Sequence, residues 1–447
     1  MRFVIIGGDA AGMSAASRAK RKKPDMEVIV LEKTRDVSYS ACSMPYNIAD
    51  PERDMNDLVV REASVFIEKN KINLLTGHCV EKIDRENRKV SGKTIDDETF
   101  SFDFDKLMIA TGASPVLPEI PGYDLPQVMT LKSLEQGRKI KAYIAKNKVN
   151  KVVIIGMGYI ALEMGEAFRE RNIKTTMVKP GPDFLPWMAK DLASVVRKEL
   201  EANKVGLELG HKISRIVPLK EGVLIECDNI SFEADMVLVA MGVKPCSELA
   251  KNAGLECEIS DSIAVDHHLK TSDDDIYSAG DCADAFHLVT GQKCYIPLAL
   301  RANRAGWAVA DNICGTPAYL PGIVGTSVFK VFDLAVARSG LNVKEAINAG
   351  FDPVENTVKT SSRAHNYPGA DIIHISMVGD RQTGRLLGAQ MVGKDGVAHR
   401  INAIAVALHN QMTIKDFVQT DLAYAPPFSP VWDPLLTAAN QLVKKMD

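Results

Sequence analysis

The residues that decide the fold are RFVIIGGDAAG at 2–12, followed by the helix-forming run MSAASRAKRKK at 13–23 and the apolar run EVIVLE at 27–32. The first and last of these runs predict short strands, and the glycines between them predict a tight turn into a helix. The second strand ends in Glu32, twenty residues after Gly12. Strand, glycine turn, helix, strand and terminal acid together predict a dinucleotide-binding βαβ unit.

Each part of this motif has a physical role toward a dinucleotide. The small residues Gly7, Ala11 and Gly12 let the backbone approach a pyrophosphate, and the helix N-terminus supplies N–H donors and a positive dipole. Glu32 can accept a hydrogen bond from a ribose hydroxyl. Asp9 stands where the middle glycine of G-x-G-x-x-G is expected, so its carboxylate should turn away from the phosphates. The alternative is a strand-to-helix turn without a ligand.

The same pattern returns in the middle of the chain. The run KVVII at 151–155 predicts a strand, GMGYIA at 156–161 opens a predicted helix, and KTTMVK at 174–179 predicts the next strand. G-x-G-x-x-A is an accepted variant of the dinucleotide motif. The second strand ends in Lys179 rather than in an acid, and a cation suits the 2′-phosphate of NADPH. Lys179 could equally be a solvated side chain, which leaves NADH and NADPH both open.

Composition excludes several classes of protein. The 447 residues carry a net charge of −3, so no strong field draws the chain toward nucleic acid or an anionic membrane. The apolar runs are shorter than a membrane span, and the N-terminus does not resemble a signal peptide. The eight cysteines show no C-x-x-C spacing, which predicts no metal site and is typical of a reducing cytoplasm.

Two dinucleotide motifs in one chain resemble the FAD-dependent pyridine nucleotide–disulfide oxidoreductases. The phrases ATG at 110–112 and AGD at 279–281 match the same family. SYSACSMPY at 38–46 is similar to the S-F-x-x-C-x-x-P-Y pattern of its single-cysteine branch, which holds coenzyme A-disulfide reductases, NAD(P)H persulfide and polysulfide reductases, and NADH oxidases and peroxidases. HNYPGA at 365–370 and LAYAPPFSPVWDP at 422–434 resemble the coenzyme A-using members.

The resemblance implies an α/β fold with two Rossmann-like domains, for FAD and NAD(P), and a C-terminal α+β dimerisation domain. We predict an FAD-binding domain at 1–112 and 244–324, interrupted by an NAD(P)-binding domain at 113–243 and followed by the dimerisation domain at 325–447. The implied cofactor-binding residues are Gly7, Ala11, Gly12, Glu32, Lys33, Ser38, Ala110, Thr111, Gly112, Gly156, Gly158, Tyr159, Ile160, Glu163, Lys179, Gly242, Asp281 and Ala299.

Cys42 is the predicted redox residue. It opens a predicted helix at 42–50, whose N-terminus should lower the pKa of the thiol. Dithiol relatives have a second cysteine five residues later, where this chain has Asn47. The oxidised form of Cys42 must therefore be a sulfenic acid, a persulfide or a mixed disulfide with a small thiol. The alternative is a buried inert cysteine, which is the interpretation we favour for the other seven.

The resemblance also implies a homodimer with a shared active site. Tyr367 and Tyr424 match two tyrosines that the coenzyme A-using members place over the cysteine of the partner subunit. Tyr424 would then protonate the departing thiolate, with Tyr367 assisting. Without the resemblance, both would be read as ordinary interface tyrosines.

Coenzyme A carries phosphates, so its site needs cations. Arg18 and Arg21 are one turn apart on the first predicted helix and share a face. Lys69 and Lys71 follow another helical stretch, and Ser38 precedes Cys42. These residues, with Tyr367 and Tyr424, are the predicted coenzyme A contacts. A basic helix end also satisfies the helix dipole without any ligand.

Three functions remain open from the sequence. The first is NAD(P)H-dependent reduction of coenzyme A disulfide, persulfide or polysulfide through a mixed disulfide at Cys42. The second is an NAD(P)H oxidase that reduces O2 through a Cys42 sulfenic acid. The oxidases and peroxidases carry a histidine in the first glycine turn where this chain has Ala10, which weakens the peroxidase interpretation. The third is a flavin-binding redox sensor without turnover.

Overall fold

The computed structural model describes residues 1–446. Its N-terminal part contains eight short strands and three α-helices. The strands are β1 (Arg2–Ile6), β2 (Glu27–Glu32), β3 (Asn73–Thr76), β4 (His78–Asp84), β5 (Lys89–Thr94), β6 (Thr99–Asp103), β7 (Lys106–Ile109) and β8 (Ala113–Pro115), and the helices are α1 (Ala10–Lys22), α2 (Met44–Ala49) and α3 (Ala63–Glu68).

The middle part repeats the alternation of strands and helices. Its elements are β9 (Val128–Thr130), α4 (Leu134–Lys146), β10 (Lys151–Ile155), α5 (Tyr159–Glu170), β11 (Lys174–Lys179), α6 (Lys190–Ala202), β12 (Val205–Leu209), β13 (Ile213–Pro218), β14 (Val223–Cys227), β15 (Ser231–Ala234), β16 (Met236–Val239) and β17 (Val243–Pro245).

The C-terminal part adds the largest antiparallel sheet. Its elements are α7 (Glu248–Asn252), β18 (Ile276–Ser278), β19 (Ala285–Phe286), β20 (Lys293–Cys294), α8 (Ala299–Ile313), β21 (Ser327–Val331), β22 (Leu334–Gly340), α9 (Val343–Asn348), β23 (Pro353–Ser361), β24 (Ile372–Asp380), β25 (Leu386–Gly393), α10 (Val397–His409), α11 (Ile414–Val418) and α12 (Pro434–Met446).

Two parallel sheets are built in the same way. The first has the order β18-β7-β1-β2-β3, and the second has the order β9-β16-β10-β11-β12. In each, the strand before the glycine turn is central, and residues 3–6 of β1 and 152–155 of β10 are buried. Apolar strands buried on both faces are typical of parallel sheets covered by helices. The predicted α/β class with two dinucleotide folds is confirmed.

The first sheet is completed by a late part of the chain. After β7 the chain builds the second sheet and then returns to the first at β18, where Ile276 pairs with Leu107. The two crossings lie side by side, because β8 and β17 form a two-stranded antiparallel ribbon. We propose the boundaries 1–112, 113–243, 244–324 and 325–447 as the division that follows from this path.

The C-terminal sheet has the order β21-β22-β25-β24-β23 and is antiparallel throughout. Helices α10, α11 and α12 supply apolar residues to the buried cluster on this sheet. Strands followed by helices on one sheet correspond to the predicted α+β domain. Among residues 1–446, no helix is long and apolar enough to cross a membrane.

Candidate active site

The two glycine turns have equivalent geometry. Gly7 and Gly156 have φ of +112° and +119°, which strongly favours glycine. A Cβ on Gly7 would lie 2.2 Å from the carbonyl oxygen of Ala110, and one on Gly156 would lie 2.2 Å from that of Ala240. Each turn therefore passes directly over the end of the neighbouring strand, at the carboxyl edge of its parallel sheet. This is the edge at which such sheets bind ligands.

The glycines around both turns leave space for a dinucleotide. A Cβ on Gly12 would lie 1.9 Å from the carbonyl oxygen of Gly7, which shows how closely α1 approaches the turn. By contrast, a Cβ on Gly112, Gly158 or Gly242 would meet no atom within 4 Å. Close backbone approach inside the turn and open space beside it are what a bound pyrophosphate requires. The residues present therefore fit two dinucleotides.

Glu32 holds the first turn in place. One carboxylate oxygen accepts from the backbone N–H of Gly8 at 2.7 Å, and the other accepts from the N–H and hydroxyl of Thr34 at 2.8 and 2.7 Å. The side chain is buried at the end of β2. A carboxylate has further lone pairs, so Glu32 can still accept a hydrogen bond from a ribose hydroxyl. That bond stays a prediction.

The other predicted FAD residues surround the same edge. Asp281 follows β18 and forms an ion pair of 2.9 Å with Lys132, a residue that the sequence analysis did not identify. The hydroxyl of Thr111 donates to the carbonyl of Cys246 at 2.6 Å. Ser38 has a φ of +50° and donates its N–H to Gly8. Lys33 is exposed, Ala110 directly follows β7 and Ala299 begins α8.

Cys42 lies before α2 rather than at the start of the predicted helix. Residues 41–43 form a 3-10 turn, and α2 begins at Met44 with Pro45 in its first turn. The prediction of a lowered thiol pKa is wrong for this chain. Cys42 is exposed overall, but the groups packed around its sulfur partly exclude water. This desolvation, followed by the nearby charge of Glu163, raises the pKa of Cys42, and Lys132 opposes this shift. A helix of six residues is too short to offset the burial and the neighbouring carboxylate.

Glu163 connects the Cys42 segment to the second dinucleotide unit. It lies on α5, and its carboxylate accepts a hydrogen bond of 2.8 Å from the hydroxyl of Tyr46 on α2. Burial raises the pKa of Glu163, while the bond from Tyr46 lowers it. The sequence predicted Glu163 as a nucleotide contact. It did not pair Glu163 with Tyr46, because the two residues are 117 positions apart.

Tyr159 packs between the second glycine turn and the C-terminal sheet. Its ring stacks on Phe329 with 4.6 Å between centroids, and its edge faces Trp187 at 5.4 Å. Ile160 follows it in the first turn of α5. Lys179 ends β11 and donates to the carbonyl of Asp183 at 3.0 Å, so its ammonium is held beside its own strand end.

Tyr367 and Tyr424 lie on adjoining loops of the C-terminal domain. The N–H of Ala364 donates to the carbonyl of Pro426 at 3.2 Å, which joins the two loops. Both rings are exposed, by 39% and 50%. The groups that act on the Cys42 thiol within its own chain are instead Glu163 and other charges of the two dinucleotide units.

The predicted cationic residues divide into two groups. Arg18 is already engaged, because its guanidinium makes two bonds of 2.7 Å to Asp311 on α8 and lies over the ring of Trp307. Arg18 could therefore reach coenzyme A only by sharing or exchanging this ion pair, and its predicted contact with coenzyme A stays a prediction. The remaining predicted cations, Arg21, Lys69 and Lys71, are exposed.

Comparison with known proteins agrees with this architecture. Residues 1–306 match the family model described as pyridine nucleotide-disulphide oxidoreductase. The chain belongs to this family. Residues 326–435 match the dimerisation domain of the same family, which supports a homodimer. Membership confirms the predicted oxidoreductase class and the use of FAD and a pyridine nucleotide.

Several relatives cover the whole chain. An NAD(P)H sulfur oxidoreductase (CoA-dependent) from Pyrococcus abyssi is 39% identical over 98% of this chain and 97% of its own length. An NADH oxidase from Methanocaldococcus jannaschii is 33% identical over 100% and 99%. The solved structure of an NAD-dependent persulfide reductase from A. fulgidus matches with a TM-score of 0.96 and 36% identity, covering 100% of this chain and 83% of that one.

Proposed function

We propose that this protein is a flavoenzyme that uses NAD(P)H to reduce coenzyme A disulfide, or coenzyme A persulfide and polysulfide, through FAD and Cys42. The observation that carries the proposal is the isolation of the Cys42 thiol beside the first dinucleotide unit. All eight cysteines are free. Asn47, at the position of a second redox cysteine, is buried and donates to the carbonyl of Asp54 at 2.8 Å. A disulfide at Cys42 would therefore take its second sulfur from a substrate and not from position 47.

The names of the relatives support a sulfur substrate carried by coenzyme A. The Pyrococcus abyssi relative is a CoA-dependent sulfur oxidoreductase, and the A. fulgidus structure is a persulfide reductase. A mixed disulfide between Cys42 and coenzyme A is the oxidised state that suits both chemistries.

When bound, FAD would supply the transfer of two electrons from NAD(P)H to the sulfur at Cys42. The chain's own part begins with the Cys42 thiolate, which attacks one sulfur of coenzyme A disulfide. A Cys42–coenzyme A disulfide forms, and one coenzyme A thiolate leaves and takes a proton. Two electrons and a further proton then cleave the mixed disulfide. The balance is one coenzyme A disulfide, one NAD(P)H and one proton giving two coenzyme A thiols and NAD(P)⁺.

A second copy of the chain would complete the site. The exposed Tyr367 and Tyr424 lie on the domain that matches the family's dimerisation model. We propose that the partner's Tyr424 donates the proton that the departing thiolate needs, and that the partner's Tyr367 assists it. Both phenols can donate and accept hydrogen bonds, as this step requires.

The phosphates of coenzyme A require cations near Cys42. Arg21, Lys69 and Lys71 are exposed and can take this part, and Ser38 lies four residues before the thiol. Arg18 would contribute only by sharing or exchanging its contact with Asp311. We also place the protein in a reducing cytoplasm, because eight unpaired cysteines persist most readily there.

Oxygen reduction is the second candidate. The Methanocaldococcus jannaschii relative is an NADH oxidase, and a lone thiol beside a flavin can cycle through a sulfenic acid. The two candidates differ in the acceptor that sustains turnover.

Turnover measurements decide between them. We expect the flavin-loaded protein to consume NAD(P)H with coenzyme A disulfide under anaerobic conditions, and the Cys42→Ser variant to lose this activity. Cys79→Ser is the matched control, because Cys79 is also an exposed free thiol. Turnover that requires air and is indifferent to coenzyme A disulfide would refute the proposal and favour the oxidase. Flavin binding without turnover on either acceptor would favour the redox sensor.

A further inference from the structure

Asp9 is the residue of the first glycine turn that the dinucleotide motif does not explain. The matching position in the second turn is Gly158, where an added Cβ would meet no atom within 4 Å. In this motif the middle glycine lets the backbone approach the pyrophosphate. A carboxyl-bearing side chain therefore stands where the phosphates of FAD come nearest to the chain.

Asp9 does not act as an ordinary helix cap. It is the N-cap residue of α1, where aspartate usually accepts a bond from an N–H of the first turn. Here its side chain makes no capping bond. The backbone of Tyr39, three residues before Cys42, lies close enough to favour the ionised carboxylate, but burial disfavours that form more strongly. The carboxyl group is therefore not engaged by the first turn of the helix.

The surroundings of Asp9 are rich in negative charge. The charges of Glu32, at the end of β2, and of Asp281, three residues after β18, both oppose ionisation of Asp9, and Asp9 in turn opposes ionisation of the Cys42 thiol. The cation on this side is Lys132, which is paired with Asp281 at 2.9 Å. Among residues 1–446, no cation lies within ion-pair distance of Asp9 itself. Burial and the two acids, opposed by Lys132, raise the pKa of Asp9 to about 6.

We propose that Asp9 binds FAD as a neutral carboxylic acid, so that the protein takes up a proton at Asp9 when FAD binds. An ionised carboxylate can only accept hydrogen bonds, whereas the protonated acid has an O–H that can donate to a phosphate oxygen. The charges of the pyrophosphate further disfavour the ionised form. The inference concerns the flavin and does not depend on which sulfur compound is reduced.

Proton uptake at Asp9 determines how the affinity for FAD changes with pH. In the flavin-free protein Asp9 ionises at about pH 6, and in the FAD complex its pKa lies higher. FAD affinity is therefore greatest in acid. Above the pKa of the free protein, affinity falls by up to about tenfold per pH unit, until the pH passes the pKa of the complex.

The test is the dissociation constant of FAD across pH, measured by diluting the holoenzyme and following the fluorescence of released flavin. We expect the wild type to bind more weakly as pH rises. Asp9→Asn, a neutral side chain of the same shape, and Asp9→Gly, which restores the residue of the second turn, should both remove this slope. Asp25→Asn, at an exposed aspartate after α1, should keep it.

A second readout counts the proton directly. Calorimetric titration of flavin-free protein with FAD, in two buffers of different ionisation enthalpy, should give an uptake of about one proton near neutral pH for the wild type and none for Asp9→Asn. A wild-type profile that is flat, or an Asp9→Asn profile that keeps the wild-type slope, would overturn the proposal. The proposal would also be overturned if Asp9→Asn bound FAD more weakly than the wild type by the same factor at every pH, because a purely structural role of Asp9 has that effect.

Discussion

The chemistry proposed at Cys42 depends on side chains from both dinucleotide units. The thiol belongs to the first unit, yet the neighbouring charge with the largest effect on it is that of Glu163 on α5. A sequence motif could identify Cys42, because its spacing to Pro45 and Tyr46 is local. It could not predict the raised pKa of the thiol, because burial and Glu163 arise from a contact between distant parts of the chain.

Removing the charge of Glu163 should make Cys42 more acidic. In Glu163→Gln the carboxylate no longer opposes the thiolate, so we expect the pKa of Cys42 to fall. The rate of alkylation of the holoenzyme with iodoacetamide, followed as a function of pH, reports this midpoint. Glu135→Gln is the control, because Glu135 is exposed and paired with Lys139 on α4. An unchanged midpoint in Glu163→Gln would show that burial alone sets the pKa.

Among the elements, the two glycine turns are those that the sequence predicts best. Their strand, turn and helix are contiguous, so the spacing of residues 2–12 and 151–161 contains the whole unit. The start of α2 and the partner of Arg18 were harder to predict. The first depends on a short 3-10 turn, and the second depends on α8, which lies nearly 300 residues further along the chain.

The two glycines of the second turn should respond differently to alanine. At position 156 an alanine would have to adopt the φ of +119° that Gly156 has now, and its Cβ would clash with the carbonyl oxygen of Ala240. We therefore expect Gly156→Ala to lose stability on the order of 2 kcal/mol or more. Gly158 has a φ of −85° and open space around it. Gly158→Ala should unfold like the wild type but raise the KM for NAD(P)H, because the added methyl group enters the space for the nucleotide.

Urea unfolding of the holoenzyme and steady-state kinetics separate these two effects. Equal stability of Gly156→Ala and the wild type would contradict the geometry of the turn. An unchanged KM in Gly158→Ala would show that the nucleotide does not approach this position.

As a whole molecule, the chain folds its two dinucleotide units around the Cys42 segment. Met44 and Ile48 of α2 belong to the same buried apolar cluster as Leu162 of α5 and Val331 of β21. Helix α2, which follows Cys42, therefore packs where all three parts of the chain meet. The interruption of the first unit was predicted from the family resemblance, because the strand that completes its sheet, β18, lies far along the chain from β7. The proposed approach of Tyr367 and Tyr424 to the Cys42 of a partner subunit requires a second copy, and no pattern within one chain predicts that geometry.

Mixed dimers test the shared site. One copy carries Cys42→Ser, and the other carries Tyr424→Phe, which alone should lower kcat at least about 100-fold. If the site is shared, one of the two sites in the mixed dimer keeps both native residues, and we expect about half of the wild-type activity. If each chain supplies its own tyrosine, both sites are damaged and the mixed dimer is nearly inactive.

The proposed chemistry depends on a disulfide between Cys42 and coenzyme A. Intact-protein mass spectrometry under non-reducing conditions, after incubation with coenzyme A disulfide and washing, tests it directly. We expect one coenzyme A-sized adduct per chain, which a thiol reductant removes. The adduct should be present in the wild type and in Cys79→Ser, and absent from Cys42→Ser. Added oxygen alone at Cys42, or a coenzyme A adduct that survives in Cys42→Ser, would contradict it.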